Sequence, residues 1–354
     1  MNNSEAGPAT AKQSWADKRK NTKPKPISVS EEELVKMSYL PGYDRLPLVI
    51  EPNIEGLDVA VWVENNRDFI QSTLLKNGGI LFRGFDVRGR EDFERYLEAL
   101  KIPLMHYIEG ATPRVELTDK VYSSTEFPPD QTIALHNELC YVTTWPMKIW
   151  FSCVQAAERG GETPIGDVRR VYNRLDPKIR QKFIDKGWML LRNFGDGLGI
   201  PWRSSFRVSS QAEADLYFRR ARIEPEWKDN DRLRTRQVRP AIAVHPVTGE
   251  TVWFNHIAFW HISSLEPNLR EMLLSEFGEN DLPYNTYYGD GSPIEDSVAE
   301  ELRAAYEAET VAFLWQEGDI LMLDNMLVAH GRKPFAGPRK VLAAMGEPYT
   351  RQDI

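Results

Sequence analysis

Cysteine is almost absent from this chain: Cys140 and Cys153 are the only two in 354 residues. Two thiols exclude a disulfide framework and a cysteine-built zinc cluster, and they suit small buried residues in a reducing compartment. Long apolar runs are missing as well. No window approaches the roughly 18 uninterrupted apolar residues that a membrane-spanning helix needs. Residues 1–26 are polar, basic and proline-containing without an apolar stretch, so they read as a disordered basic tail, not a secretory signal. The expected location is the cytoplasm. Internal repeats and low-complexity blocks are absent from the remainder. A basic excess is absent too: 44 Lys+Arg against 52 Asp+Glu give a formal charge of −8. That balance argues against nucleic acid as the main partner. Hydrophobic residues at 42% and charged residues at 27% match a globular chain. At this length about 75% of the unfolded surface can be buried without staples.

The hydrophobic pattern predicts a mostly β fold with α insertions, one domain over residues 27–354. A capping box at Ser30 and Glu33 predicts a helix through SEEELVKM, ending before Pro41-Gly42. The run GGILFRGFDV reads as a buried strand, and EDFERYLEAL as a helix with Phe93, Tyr96, Leu97 and Leu100 on one face. QTIALHNELCYV and PMKIWFSCVQAA read as strands. Between about 168 and 238 the pattern changes to a helical insertion, with Asp176-Pro177 and a Ser210/Glu213 capping box as helix starts. AIAVHPVTGETVWFNH reads as a hairpin turning at Val247–Glu250. EPNLREMLLSEF and DSVAEELRAAYEAE read as helices. The C-terminal stretch reads strand, Glu-Gly turn, strand, loop, strand. Strands at both ends with helices between them imply one β-core assembled from distant segments.

Six histidines are present: His106, His136, His245, His256, His261 and His330. In His136-Asn137-Glu138, an extended strand would point residues i and i+2 to the same face, placing an imidazole beside a carboxylate. A third ligand from another strand completes a face of two histidines and one carboxylate, leaving three metal positions open for a bidentate co-substrate and oxygen. His330 follows the strand-like run DILMLDNMLVAH, and Arg339 comes nine residues later. A strand-borne arginine near a metal-binding histidine suits a dicarboxylate chelated at one end and gripped by a planar fork at the other. In Gly160-Gly161-Glu162-Thr163, paired glycines allow close backbone approach, and the Thr163 hydroxyl can donate to a carboxylate.

Together HNELCYVTTWP, FSCVQAAERGGETPIGD, WQEGDILMLDNMLVAHGR and PFAGPRKVLAAM resemble the taurine dioxygenase-like superfamily of iron(II)/2-oxoglutarate-dependent oxygenases. Within it the chain is most similar to the clavaminate synthase-like and syringomycin-hydroxylase-like branch, from roughly Pro47 to Thr350. The resemblance implies a double-stranded β-helix (jelly-roll) core. It implies His136, Glu138 and His330 as Fe(II) ligands, and Thr163 and Arg339 as contacts to 2-oxoglutarate. Lys340 is the alternative to Arg339, and Arg332 stands too close to His330 to be assigned. O2 is the other co-substrate. Oxidative decarboxylation to succinate and carbon dioxide is then coupled to hydroxylation of an unactivated C–H bond. Glu138 stands where the taurine-type branch has Asp, which points to the branch acting on amino acids and their derivatives. It also fills the position that related halogenases leave small for chloride, so hydroxylation is implied over halogenation.

The expected substrate is a small-molecule amino acid, or an aminoacyl thioester tethered to a carrier protein, in secondary metabolism. Arg114 and Asn255 are candidate substrate contacts, and Asn325 could also face the pocket. His256 and His261, five apart in NHIAFWH, read as structural, with a substrate or ligand-supporting contact as the alternative. Three other readings stay open: desaturation or cyclisation by the same class of site, a zinc metallohydrolase using the same three ligands, and a non-catalytic binding module. The oligomeric state has no signature in the sequence.

Overall fold

The computed structural model describes residues 34–109, 116–118, 120–124, 127–195, 197 and 199–351. The tail, the Ser30/Glu33 capping box and Arg114 lie outside the described residues.

Two sheets enclose the centre of the molecule. The larger has eight strands in the order Val35–Tyr39, Leu48–Pro52, Gly79–Phe82, Ile320–Asp324, Thr144–Gln155, Lys340–Thr350, Val121–Ser123, Glu116–Thr118. The smaller has four, in the order Thr310–Val311, Ile165–Asp167, Val328–Arg332, Ile133–His136. The central strands of the large sheet are mostly apolar because both faces are covered, with the buried Lys148–Asp324 ion pair as the charged exception. Ile149, Phe151, Leu321, Leu323, Val341 and Ala343 point into the core shared with the small sheet. Their neighbours Trp150, Ile320, Met322, Leu342 and Ala344 point into a second core. That second core is closed by helices Val59–Asn65, Arg67–Asn77 and Arg90–Leu100, the last burying Phe93, Tyr96, Leu97 and Leu100. This alternation is the two-residue period of a strand buried on both sides.

Four sequence expectations change. Val35–Tyr39 is a strand paired antiparallel with Leu48–Pro52, where a helix was expected through Met37. Burial of Val35 and a full hydrogen-bond ladder outweigh the helical preference of the preceding glutamates. The strand containing His136 stops at that residue, so Glu138 lies in a turn. DILMLDNMLVAH is two strands, Ile320–Asp324 and Val328–Arg332, and a tight turn carries the chain from one sheet to the other. The insertion at 168–238 is mixed and not purely helical. Helices Val168–Arg174, Pro177–Lys186 and Gln211–Ala221 accompany a sheet ordered Glu224–Lys228, Arg232–Arg239, Trp188–Phe194, Tyr284–Tyr288. The strand RLRTRQVR escapes a hydrophobicity reading because its inward positions include Thr235, Gln237 and Arg239, all buried. No helix among the described residues is long and apolar enough to cross a membrane.

Candidate active site

Strand pairing places two of the three candidate ligands. Ile133–His136 and Val328–Arg332 run antiparallel, with His330 directly opposite His136. The register then shifts, so that Arg332 pairs with Ile133 and Gly331 sits in the irregularity. A Cβ at Gly331 would lie 2.5 Å from the Ile133 carbonyl oxygen, so a side chain there would push the strands apart. The two imidazole centroids are 4.5 Å apart. His136 Nδ1 lies 2.9 Å from the Ala134 carbonyl oxygen. A carbonyl can only accept, so Nδ1 carries the proton and Nε2 keeps its lone pair for a metal.

Glu138 is placed by other means. The turn after His136 brings Leu139 to φ +55 and is held by Asn325, which bonds both the N–H and the carbonyl of Glu138. Glu138 Oε2 ends 3.8 Å from His330 Nε2. One ligand atom from each of His136, Glu138 and His330 lies within 4.8 Å of the others. Two imidazoles and one carboxylate at this spacing are a donor set suited to Fe(II), with coordination positions left for other ligands. The residues present therefore fit the metal.

From His136 and His330 a cavity runs between the sheets to Thr163 and Arg339, past the apolar side chains of Ile133, Phe151, Val341 and Ala343. Arg339 Nε donates to the Gly161 carbonyl at 3.1 Å, and its other guanidinium nitrogens make no hydrogen bond among the described residues. Burial, and then the neighbouring Arg332, push its pKa down to about 10. Such a group is stabilised by an anion. Arg332 also lines the cavity, but its guanidinium donates to the carbonyls of Phe127, Pro128 and Gln131. Lys340 is exposed. Thr163 is buried and accepts a 3.0 Å bond from the Trp315 indole N–H. Its own hydroxyl proton is left to donate elsewhere.

The structure thus places His136, His330, Thr163 and Arg339 around one cavity, with Glu138 within metal-sharing reach of both histidines. Asn255 is not in the cavity wall. Its amide donates to the Ala241 carbonyl and accepts from the Ile257 N–H. Asn325 is likewise committed to backbone groups. His261 is engaged by Ser263 and the Ile294 carbonyl, and His245 by Asp324. His256 is buried against His136, with ring centroids 5.5 Å apart. Burial, and then His136, hold its pKa well below the usual histidine value, so it is neutral.

Sequence reading missed one supporting residue, Trp315, and named another, Asn325, only as a side chain that could face the pocket. Trp315 has no local signature, because its partner Thr163 is 152 positions away. Asn325 had a signal: Asp324-Asn325 inside an apolar run is a turn pair.

A model of the taurine catabolism dioxygenase TauD, TfdA family matches residues 42–345. The dapdiamide synthesis protein DdaC of Enterobacter agglomerans is 39% identical over 279 residues, 79% of this chain and 85% of DdaC. A clavaminate synthase-like protein of Arabidopsis thaliana is 30% identical over 293 residues, 80% of this chain and 86% of that protein. The crystal structure of PvcB from Pseudomonas aeruginosa shares the fold, with a TM-score of 0.55 at 18% identity, covering 92% of this chain and 99% of PvcB. With a double-stranded β-helix core and a family match over most of its length, the chain belongs to the TauD, TfdA family, as a dioxygenase that works with iron(II), 2-oxoglutarate and O2.

Proposed function

We propose that this enzyme hydroxylates an aliphatic carbon of an amino acid or amino-acid derivative, taken free or as a thioester on a carrier protein, in secondary metabolism. One observation carries the site assignment: a single cavity has two imidazoles at one end and a guanidinium with uncommitted nitrogens at the other. In this reading His136, Glu138 and His330 hold iron(II). Arg339 grips the distal carboxylate of 2-oxoglutarate with its free N–H groups, and the Thr163 hydroxyl donates to the same co-substrate. When bound, iron(II) and 2-oxoglutarate supply the oxidising chemistry, releasing succinate and carbon dioxide from the co-substrate. Ile133, Phe151, Val341 and Ala343 keep water from the co-substrate and strengthen the Arg339 contact by lowering the local dielectric. Glu138 occupies the ligand position with a carboxylate, which favours hydroxylation over halide transfer.

The amino-acid assignment is supported by the likeness to DdaC, a protein named for dapdiamide synthesis, and by glutamate at the carboxylate position. Anaerobic reconstitution with Fe(II) and 2-oxoglutarate is expected to produce a visible absorption band. Succinate formation on admitting oxygen should then depend on an amino acid or its thioester. A protein that forms the band but releases no substrate-dependent succinate with any amino acid or thioester would overturn the substrate class. Absence of the band would overturn the site assignment.

A further inference from the structure

Arg332 shares the cavity wall with Arg339 but spends its guanidinium on a loop. Its Nη1 donates to the Phe127 carbonyl at 3.0 Å, and its Nη2 to the carbonyls of Pro128 at 2.6 Å and Gln131 at 3.0 Å. The same loop is held a second time, by the Phe335 N–H on the Pro129 carbonyl at 2.8 Å. The carbonyls of Phe127, Pro128, Pro129 and Gln131 are therefore all taken up by two residues, Arg332 and Phe335. This loop leads directly into the strand Ile133–His136.

Phe335 joins that loop to Arg339. The guanidinium carbons of Arg332 and Arg339 lie 5.1 and 5.5 Å from the centroid of the same Phe335 ring. An aromatic face is the negative end of the ring quadrupole, so it attracts each cation and offsets their mutual repulsion. Phe335 pairs with Gly160 across a short antiparallel ladder, and the Gly161 N–H donates to the Pro334 carbonyl at 2.9 Å. A Cβ at Gly160 would lie 2.2 Å from that carbonyl oxygen. A Cβ at Gly161 would lie 3.1 Å from the Phe335 Cβ and equally close to the Arg339 Cδ and Nε. The two glycines thus let the segments close up until the ring and the arginine stem rest on one patch of backbone. Arg339 is held there by one carbonyl, that of Gly161, and one ring, that of Phe335.

We infer that Arg332 and Phe335 are positioning residues through which the site reads the length of its co-substrate: the loop at 127–131 braces Arg332 and Phe335, the ring braces the Arg339 fork, and the braced fork accepts the distal carboxylate of a five-carbon 2-oxo diacid in preference to a longer one. This rests on the reading of Arg339 as the grip on 2-oxoglutarate. A fork held at one distance from the metal ligands measures the chain between two carboxylates, whereas a fork free to swing takes a longer diacid nearly as well. 2-Oxoglutarate and 2-oxoadipate carry the same charge. The field of Arg332 alone therefore acts on both alike, and only a positional effect separates them.

The test is a binding titration, without turnover. Each diacid is added anaerobically to the Fe(II)-saturated enzyme, and the growth of the visible band gives its Kd. The wild type is expected to bind 2-oxoglutarate more tightly than 2-oxoadipate. Phe335→Leu should raise the Kd for 2-oxoglutarate by about fivefold or more and that for 2-oxoadipate much less, so that the preference shrinks. Phe335→Tyr, which keeps the ring, should restore both values. Arg332→Lys keeps the charge but cannot bond three carbonyls as a fork, and it should shrink the preference as well. Equal binding of the two diacids by the wild type overturns the inference. So does an unchanged preference in both Phe335→Leu and Arg332→Lys, whether the two Kd values stay put or rise by one common factor. A loss of Fe(II) affinity as large as the loss of 2-oxoglutarate affinity shows that the brace serves the ligand strands, which also overturns it. Arg339→Leu is the control on the underlying reading: if it binds 2-oxoglutarate like the wild type, the grip assignment fails and takes this inference with it. Phe335 is half-buried, so its truncation spares the core; should Phe335→Leu not fold, Arg332→Lys decides alone.

Discussion

Asn325 holds the backbone of Glu138 from both sides. Its Oδ1 accepts from the Glu138 N–H at 2.7 Å, and its Nδ2 donates to the Glu138 carbonyl at 2.8 Å. The same Nδ2 reaches the Pro146 carbonyl at 2.8 Å, and Asn137 Nδ2 donates back to the Asn325 carbonyl at 2.7 Å. The side chain of one turn thus supplies the bonds that a ladder would supply if Glu138 were in a strand. Asn325→Asp keeps the acceptor but removes both donations and sets a carboxylate oxygen against two carbonyls. We predict a fall in Fe(II) affinity of roughly tenfold or more, as seen when residues that orient metal ligands are lost. Titration with Fe(II) measures it, with His245→Asn as a control that disturbs the neighbouring turn without touching Glu138.

Arg339 and Gly161 should act on the co-substrate and not on the metal. Arg339→Leu is expected to raise the KM for 2-oxoglutarate by about 30-fold or more, the scale of about 2 kcal/mol for losing one partner of a buried charged contact. Arg339→Lys should recover only part of this, because an ammonium cannot present two parallel donors. Gly161 has φ +75, and a Cβ there would lie 3.1 Å from Arg339 Cδ and Nε. Gly161→Ala should therefore displace the guanidinium and raise the same KM while Fe(II) affinity holds. Equal KM values in wild type and Arg339→Leu would remove Arg339 from the site.

Thr163 separates donor from acceptor. Thr163→Val removes the hydroxyl, leaving the Trp315 N–H without its acceptor and the co-substrate without a donor. A rise of roughly tenfold in the 2-oxoglutarate KM is expected, about 1–2 kcal/mol, with Thr163→Ser close to wild type. Steady-state kinetics at saturating iron distinguishes the three proteins.

Asp324, the residue before Asn325, gives the fold an acid limit. It is fully buried between Lys148 Nζ at 2.8 Å and His245 Nε2 at 3.3 Å. Burial raises its pKa, but Lys148 and then His245 more than offset this, so the carboxyl sits below its ordinary value. A folded pKa below the unfolded one gives stability that is complete above the ordinary aspartate range near pH 4. That stability is lost as pH falls through the lower folded value. Asp324→Asn should remove this steep loss, and at neutral pH it should cost about 3–5 kcal/mol by leaving the Lys148 ammonium buried beside a neutral amide. Denaturant unfolding of both proteins between pH 3 and 7 measures each effect. A variant as acid-sensitive as the wild type would assign the acid limit to another group.

Much of the site was legible because its chemistry is local. His136, Glu138, Thr163, His330 and Arg339 are the residue types that a metal and a dicarboxylate need, and their order along the chain carries the family resemblance. The strands around them were legible where burial on both faces leaves a mostly apolar run, as in Thr144–Gln155. The Arg232–Arg239 strand was not, because a strand with polar residues on its inner face has no hydrophobic period to read. Arg114 and Asn255 show a further limit. Arg114 lies outside the described residues, and the Asn255 amide is spent on the backbone of its own hairpin and helix start.

Sequence by itself determined which donors this protein owns and which family it joins, since side-chain chemistry and short motifs survive without knowledge of neighbours. It did not determine how Glu138 reaches the histidines. The two-residue alternation of a strand suggested one route, and the structure uses another: a turn held by an asparagine 187 positions away. Nor could it place the Trp315 indole on Thr163 or the Cys140 thiol on His256. Those contacts join residues whose separation along the chain has no period, so only the packed sheets decide them.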